Sequence, residues 1–193
     1  LAALGLPVPY AIALDSSGRI YIGDDYKGKI ARIDSMAGDG LVSFGESGEG
    51  PGRFGSPDAL AIDAQGRILV ADATKGRIIR FDDMAGTNWV SYDGSDAEGK
   101  GALVEPRHIA IAPDGSLYLA DATTARICHF LDLSASGREV WGWDGSGGRP
   151  WQPFGVGLDT AGRIYFADNN KGRIGRIDDL TGKGLIFYPG GAP

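Results

Sequence analysis

Apolar and polar positions alternate along this chain in short runs, and the runs return in a fixed order. In residues 10–14, Tyr10, Ile12 and Leu14 fall on one face, with Ala11 and Ala13 on the other. A period of two with apolar residues on both faces predicts a buried strand. Asp15-Ser16-Ser17-Gly18 then predicts a tight turn, with Asp as the cap and Gly18 supplying a positive φ. Residues 19–23 read as a second strand and 24–28 as a second turn. Residues 29–34 alternate again as a third strand, and 41–44 form a fourth. A Gly-rich loop over 45–56 leads onward.

The same order occurs four times. The copies read PYAIALDSSGRIYIGDDYKGKIARID from Pro9, PDALAIDAQGRILVADATKGRIIRFD from Pro57, PRHIAIAPDGSLYLADATTARICHFL from Pro106 and PFGVGLDTAGRIYFADNNKGRIGRID from Pro153. Their prolines are 48, 49 and 47 residues apart. Self-similarity at this period, with strands inside each copy and no helical period, is the signature of a β-propeller. The expected fold is all-β: one propeller domain over 1–193 made of four four-stranded antiparallel blades, near 9–56, 57–105, 106–152 and 153–193. The alternative is four blades of a larger ring. The first strand lies nearest the axis of a propeller. Seven of its eight small-face positions (11, 13, 59, 61, 108, 110, 155, 157) are Ala or Gly. That favours close approach of the blades and closure at four. The tail Gly184-Leu185-Ile186-Phe187-Tyr188 matches Gly40-Leu41-Val42-Ser43-Phe44, so each copy carries all four of its strands.

The recurring proline, turn glycine, Asp and basic residue resemble the NHL repeat, over almost the whole chain. The resemblance implies a propeller of the NHL class, commonly six-bladed and mostly an interaction platform. It also implies enzymatic alternatives, since related propellers include peptide-amidating lyases and lactonases of the gluconolactonase type. The lyases need several histidines around zinc, and this chain has 2. The lactonases need Glu, Asn and Asp ligands at the channel mouth. Only Asp58 matches by chemistry, because Asn88, Asn169 and Asn170 fall at turns or outer positions.

Composition refines this picture. Glycine is abundant (32 residues), but it recurs in register between apolar runs and so acts as turn punctuation. Of the 25 acidic residues 5 are Glu, leaving 20 Asp, which suits turns. The net charge of −6 argues against nucleic-acid or anionic-membrane binding. No apolar run approaches the roughly 20 residues of a membrane span. The single Cys128 cannot form an internal disulfide. A start at Leu1 in LAALG, with the Asp- and Gly-rich composition, suggests an extracytoplasmic (periplasmic or secreted) setting.

Asp24, Asp72, Asp121 and Asp168 recur in one slot, each followed five residues later by Lys29, Arg77, Arg126 or Arg173. Identical placement in every copy predicts a structural task, capping a turn or pairing with the basic residue. Asp15, Asp63 and Asp159 read the same way. Phe44, Trp89, Tyr92, Trp141, Trp143, Phe187 and Tyr188 gather in or beside fourth strands and are expected to pack between blades.

In a repeat protein, function is sought where the repeat breaks. At the start of the first strand the copies differ: Tyr10, Asp58, Arg107 with His108, and Phe154. These residues would meet at one channel mouth, as a small-ligand or peptide pocket, or as a seal in which Asp58 pairs with Arg107. Trp151, beside Arg149 and Pro150, is a further candidate contact because loops carry function. His108 and His129 lie on a first and a third strand of one copy, so they are poor partners for one metal. No catalytic residue, metal ligand or cofactor is assigned. The expected function is a non-catalytic protein-interaction or scaffold module, an accessory subunit of a larger complex being one form. The alternative is a lactonase- or lyase-type propeller enzyme with a metal at the mouth.

Overall fold

The computed structural model describes residues 5–95, 101–133, 138–142 and 151–188. Trp143, Arg149, Pro150 and the first four residues lie outside them. Every repeat becomes one antiparallel four-stranded sheet with its strands in chain order. The first blade holds β1 (Pro9–Leu14), β2 (Ile20–Asp24), β3 (Lys29–Ile33) and β4 (Val42–Phe44). A short parallel pair, β5 (Glu46–Ser47) and β6 (Arg53–Phe54), follows it. The second blade holds β7 (Pro57–Ile62), β8 (Ile68–Asp72), β9 (Arg77–Phe81) and β10 (Val90–Tyr92). The third holds β11 (Pro106–Ile111), β12 (Leu117–Asp121), β13 (Arg126–Phe130) and β14 (Glu139–Gly142). The fourth holds β15 (Pro153–Leu158), β16 (Ile164–Asp168), β17 (Arg173–Ile177) and β18 (Ile186–Tyr188). Among the described residues the helical content is a single 3₁₀ turn, Ala73–Lys75, and no helix is long and apolar enough to cross a membrane. The chain forms two compact units, Leu1–Asp93 and Gly94–Pro193, of two blades each.

The first hairpin turn is built as its sequence predicts. The Asp15 carboxylate accepts the backbone N–H groups of Ser17 and Arg19 at 2.9 and 3.0 Å and the Arg19 guanidinium at 2.6 Å. Asp63 and Asp159 repeat this geometry. In the third blade Ala112 stands in that slot, and Asp114 caps Ser116 instead, at 2.9 Å to its N–H. Gly18, Gly66, Gly115 and Gly162 close the four turns at φ of +79°, +79°, +88° and +79°, which only glycine adopts without strain.

Packing within each unit is blade on blade. In the first unit, Ala11, Tyr21 and Ile30 of the first blade meet Leu60, Ile68, Val70, Ile79 and Phe81 of the second. In the second unit, Ala120, Ile127 and Trp141 of the third blade meet Val156, Ile164, Phe166 and Ile177 of the fourth. The small first-strand residues thus face large ones on the next blade. The fourth-strand aromatics join these cores: Phe44 lies 5.2 Å from Phe81, and Trp141 lies 5.5 Å from Phe166, centroid to centroid. Tyr188 differs, at 76% exposed.

Two residue sets outside the repeated segments complete the cores. Leu6, Phe54 and Leu103 each lie three residues before a blade's first proline, and Trp151 lies two before. All four are buried. Each contributes about 1.5–3 kcal/mol of burial, and together they pin the crossover to the blade it leads into. Arg138 is the other, at 1% exposed. Its guanidinium donates to the carbonyls of Gly94 at 3.1 Å and Gly101 at 2.9 Å, satisfying loop backbone that no strand pairs.

Candidate functional site

The four recurring carboxylates are structural clamps. Asp24, Asp72, Asp121 and Asp168 are all at most 1% exposed. Each accepts the backbone N–H of the residue just before a blade's first proline: Val8 at 2.7 Å, Ser56 at 2.9 Å, Glu105 at 2.8 Å and Gln152 at 2.9 Å. In return, the residue after each Asp donates its N–H to the carbonyl of that same pre-proline residue, at 2.9–3.1 Å. This locks the first strand against the end of the second at the chain reversal. Asp72 and Asp168 also pair with Arg77 and Arg173, at 3.0 and 2.9 Å. Burial pushes the Asp121 carboxyl above its usual range, against the backbone donors that favour its charged form.

The six expected site residues divide between the two units, with Tyr10 and Asp58 in the first and Arg107, His108, Trp151 and Phe154 in the second. Tyr10 is 54% exposed. Asp58 is buried at 6%, so little of it faces solvent.

In the second unit three of the candidates are brought together on adjacent first strands. The Arg107 guanidinium lies over the Phe154 ring, 5.2 Å from its centroid, a cation–π arrangement. It also pairs with the Glu105 carboxylate, which accepts the Thr123 hydroxyl at 2.6 Å. His108 keeps solvent access, yet the packed blades around its imidazole desolvate the ring and push its pKa below 6.5. A hydrogen bond to the Val156 backbone opposes that shift and is outweighed. Arg107 and Phe154 form a half-exposed patch of one cation on one aromatic face. It can grip an aromatic or acidic group, and it lacks a nucleophile held against a base.

Trp151 corrects the expectation drawn for it. It is 6% exposed, with its ring 5.0 Å from Trp141 and 4.7 Å from Phe166. The indole fills the space between two blades, so this loop residue is core and offers a partner almost no surface.

His129 occupies the slot held by Arg32, Arg80 and Arg176 in the other blades. It lies opposite Tyr118 across β12 and β13, with the rings 4.5 Å apart, and its Nδ1 is 3.2 Å from Glu139. Arg32 and Arg176 face Tyr21 and Tyr165 in the same way. Among the described residues, no three His, Cys, Asp or Glu side chains group as a set that could hold a metal ion.

The sheet layout of this chain matches propeller-like solved structures. Virginiamycin B lyase from Staphylococcus aureus superposes with a TM-score of 0.67 at 18% identity, covering 94% of this chain and 55% of the lyase. A nidogen/laminin complex gives 0.70 at 23% identity, covering 93% of this chain and 64% of that one. YCF48 bound to D1 peptide gives 0.59 at 16%, covering 91% and 52%. The chain has a β-propeller fold. It spans between 52 and 64% of the length of these three structures. No protein-family model matches the chain, and no curated protein matches it.

Proposed function

We propose that this propeller is a non-catalytic protein-interaction module built of NHL-type repeats. The observation that carries the reading is how the chemistry of the chain is used. The recurring carboxylates are consumed by backbone N–H groups. Arg107, a polar side chain that breaks the repeat and stays partly accessible, stands over an aromatic ring rather than beside a nucleophile. A guanidinium on an aromatic face suits recognition, since Arg and aromatic residues anchor protein interfaces. Two of the similar structures are described as complexes, one of nidogen with laminin and one of YCF48 with a peptide, which agrees with a binding role.

The test is native mass spectrometry of the protein isolated from its source, as wild type and as Arg107→Ala, with metal analysis of the same samples. A co-purifying chain that is lost from Arg107→Ala supports the module. A partner retained by that variant moves the contact elsewhere on the molecule. A stoichiometric divalent metal together with turnover would replace the module by the enzyme reading and direct attention to Asp58 and His108.

A further inference from the structure

The turn between β3 and β4 breaks the repeat at one residue. The main-chain carbonyls of Asp39, Thr87 and Lys183 hold the same place in the first, second and fourth blades, accepting the N–H of Asp34, Asp82 and Asp178 at 2.7–2.8 Å. Of these three turns, only the first puts a carboxyl there. Asp39 is followed by Gly40, at a φ of +63°. Both residues are exposed, and Thr87 is exposed too, although the first blade packs against the second. The place is therefore open to water whether or not another blade covers the sheet face beside it.

An Asp-Gly bond has a reaction of its own. The glycine nitrogen attacks Cγ of the aspartate to close a succinimide ring, and glycine puts no side chain in the way. Two side chains in this turn serve that reaction. The Ser35 hydroxyl donates to Oδ2 of Asp39 at 3.1 Å, which draws electrons from Cγ and steadies the oxygen that leaves. The Asp34 carboxylate fills the space that a Gly40 side chain would take, beside the amide that gives up its proton. Among the described residues, no acceptor holds the Gly40 N–H. The other Asp-Gly pairs among those residues are built differently. Gly115 donates its N–H to the Ala112 carbonyl at 2.9 Å, and Asp114 turns onto Ser116, accepting its N–H and hydroxyl at 2.9 and 2.7 Å. Gly94, which follows Asp93, is buried against Arg138 and Leu103.

We infer that Asp39-Gly40 is a self-modification site, at which the first blade converts its own aspartate to isoaspartate. In the first step a bond forms from the Gly40 nitrogen to Cγ of the protonated Asp39 carboxyl, and the Cγ–OH bond breaks. The amide proton passes to Asp34 and leaves with the hydroxyl as water. In the second step a water adds its oxygen to the main-chain carbonyl carbon of Asp39 and its proton to the nitrogen, and the bond between that carbon and the nitrogen breaks. The chain then runs through Cβ and Cγ, and the former main-chain carbonyl is a free carboxylate. That carbonyl is the one that closes the turn onto Asp34, so the change reaches the end of β3. Water is the only co-reactant, and the site is independent of the Arg107 patch and of the partner reading above.

The test is to hold the folded full chain at neutral pH for weeks and digest it with trypsin. Cleavage after Arg32, Arg53, Arg107 and Arg126 places Asp39 and Asp114 in separate peptides. Isoaspartate in each is read from its diagnostic fragments under electron-transfer dissociation. The folded wild type is expected to accumulate isoaspartate at Asp39 while Asp114 stays intact, and the urea-unfolded chain to accumulate it at both. Ser35→Ala and Asp34→Asn are expected to slow the rise at Asp39, and Ser35→Thr, which keeps the hydroxyl, to retain it. Three results would overturn the inference. One is an Asp39 that stays intact in the folded protein. Another is conversion of Asp114 in the folded protein as fast as that of Asp39. The third is an unchanged rate at Asp39 in either Ser35→Ala or Asp34→Asn.

Discussion

The carboxylate of Asp72 accepts the backbone N–H of Ser56 at 2.9 Å, joining residues sixteen positions apart. It also accepts the N–H of Gly55 and the Arg77 guanidinium, each at 3.0 Å, and it is fully buried. A buried carboxylate with three donors is stable because its charge is met on every side. Without it, two N–H groups and a guanidinium would be left with little water to replace it. Asp72→Ala is expected to lower stability by about 3 kcal/mol, read as a shift of the urea midpoint. A midpoint equal to wild type would remove the clamp from the account of this fold.

Phe166 faces Gly175 across β16 and β17, and a Cβ at Gly175 would come within 2.1 Å of the Phe166 ring. The equivalent pairs are Ile22 with Ala31, Val70 with Ile79 and Leu119 with Cys128. Large and small residues therefore compensate across the strands at this position. Gly175→Ala should cost about 1–3 kcal/mol through overpacking, and Phe166→Leu in the same chain should recover part of it. A double-mutant cycle measures the coupling, and simple additivity of the two changes would argue against direct compensation.

Desolvation holds His108 below its ordinary value of 6.5, so the folded state binds a proton later than the unfolded chain as pH falls. Its contribution is complete above the unfolded value of about 6.5 and is lost as pH drops through the lower folded value. His108→Gln should therefore flatten the loss of stability with acidification in that window. Urea midpoints at several pH values decide this, with parallel curves for the two proteins counting against a desolvated imidazole.

Burial pushes the Cys128 thiol up to about 12. The reactive thiolate is then scarce at neutral pH, and the side chain is 2% exposed. A thiol reagent should label the native protein at the rate of opening and the urea-unfolded protein at the rate of a free thiol. Equal fast rates in both would show that the third blade is not closed over this residue.

Much of this architecture was legible in the residues. The period of the prolines, the alternation within each run and the turn glycines are local features, and each maps onto one strand or one turn. Asp15 and Asp63 were readable for the same reason, since their donors lie two and four residues away. The clamp made by Asp72 could be read only as a structural task, because its chief acceptor role reaches across the whole β7–β8 hairpin. Trp151 was misread for a related reason. It lies outside the repeated segment, and only the packing of two blades shows that its loop carries a core side chain.

The sequence by itself therefore determined the strands, the turns and the blade as a unit, because these follow from contacts within a few residues. The tertiary structure decided which apolar faces are covered and which are not. Ile12 and Leu60 hold the same place in the grammar of the repeat, yet Ile12 is 66% exposed and Leu60 7%. It also decided which chemistry remains accessible, leaving Arg107 and His108 half-exposed while enclosing Asp58 and Trp151. Burial depends on what the rest of the chain brings alongside, and a repeat pattern does not encode that.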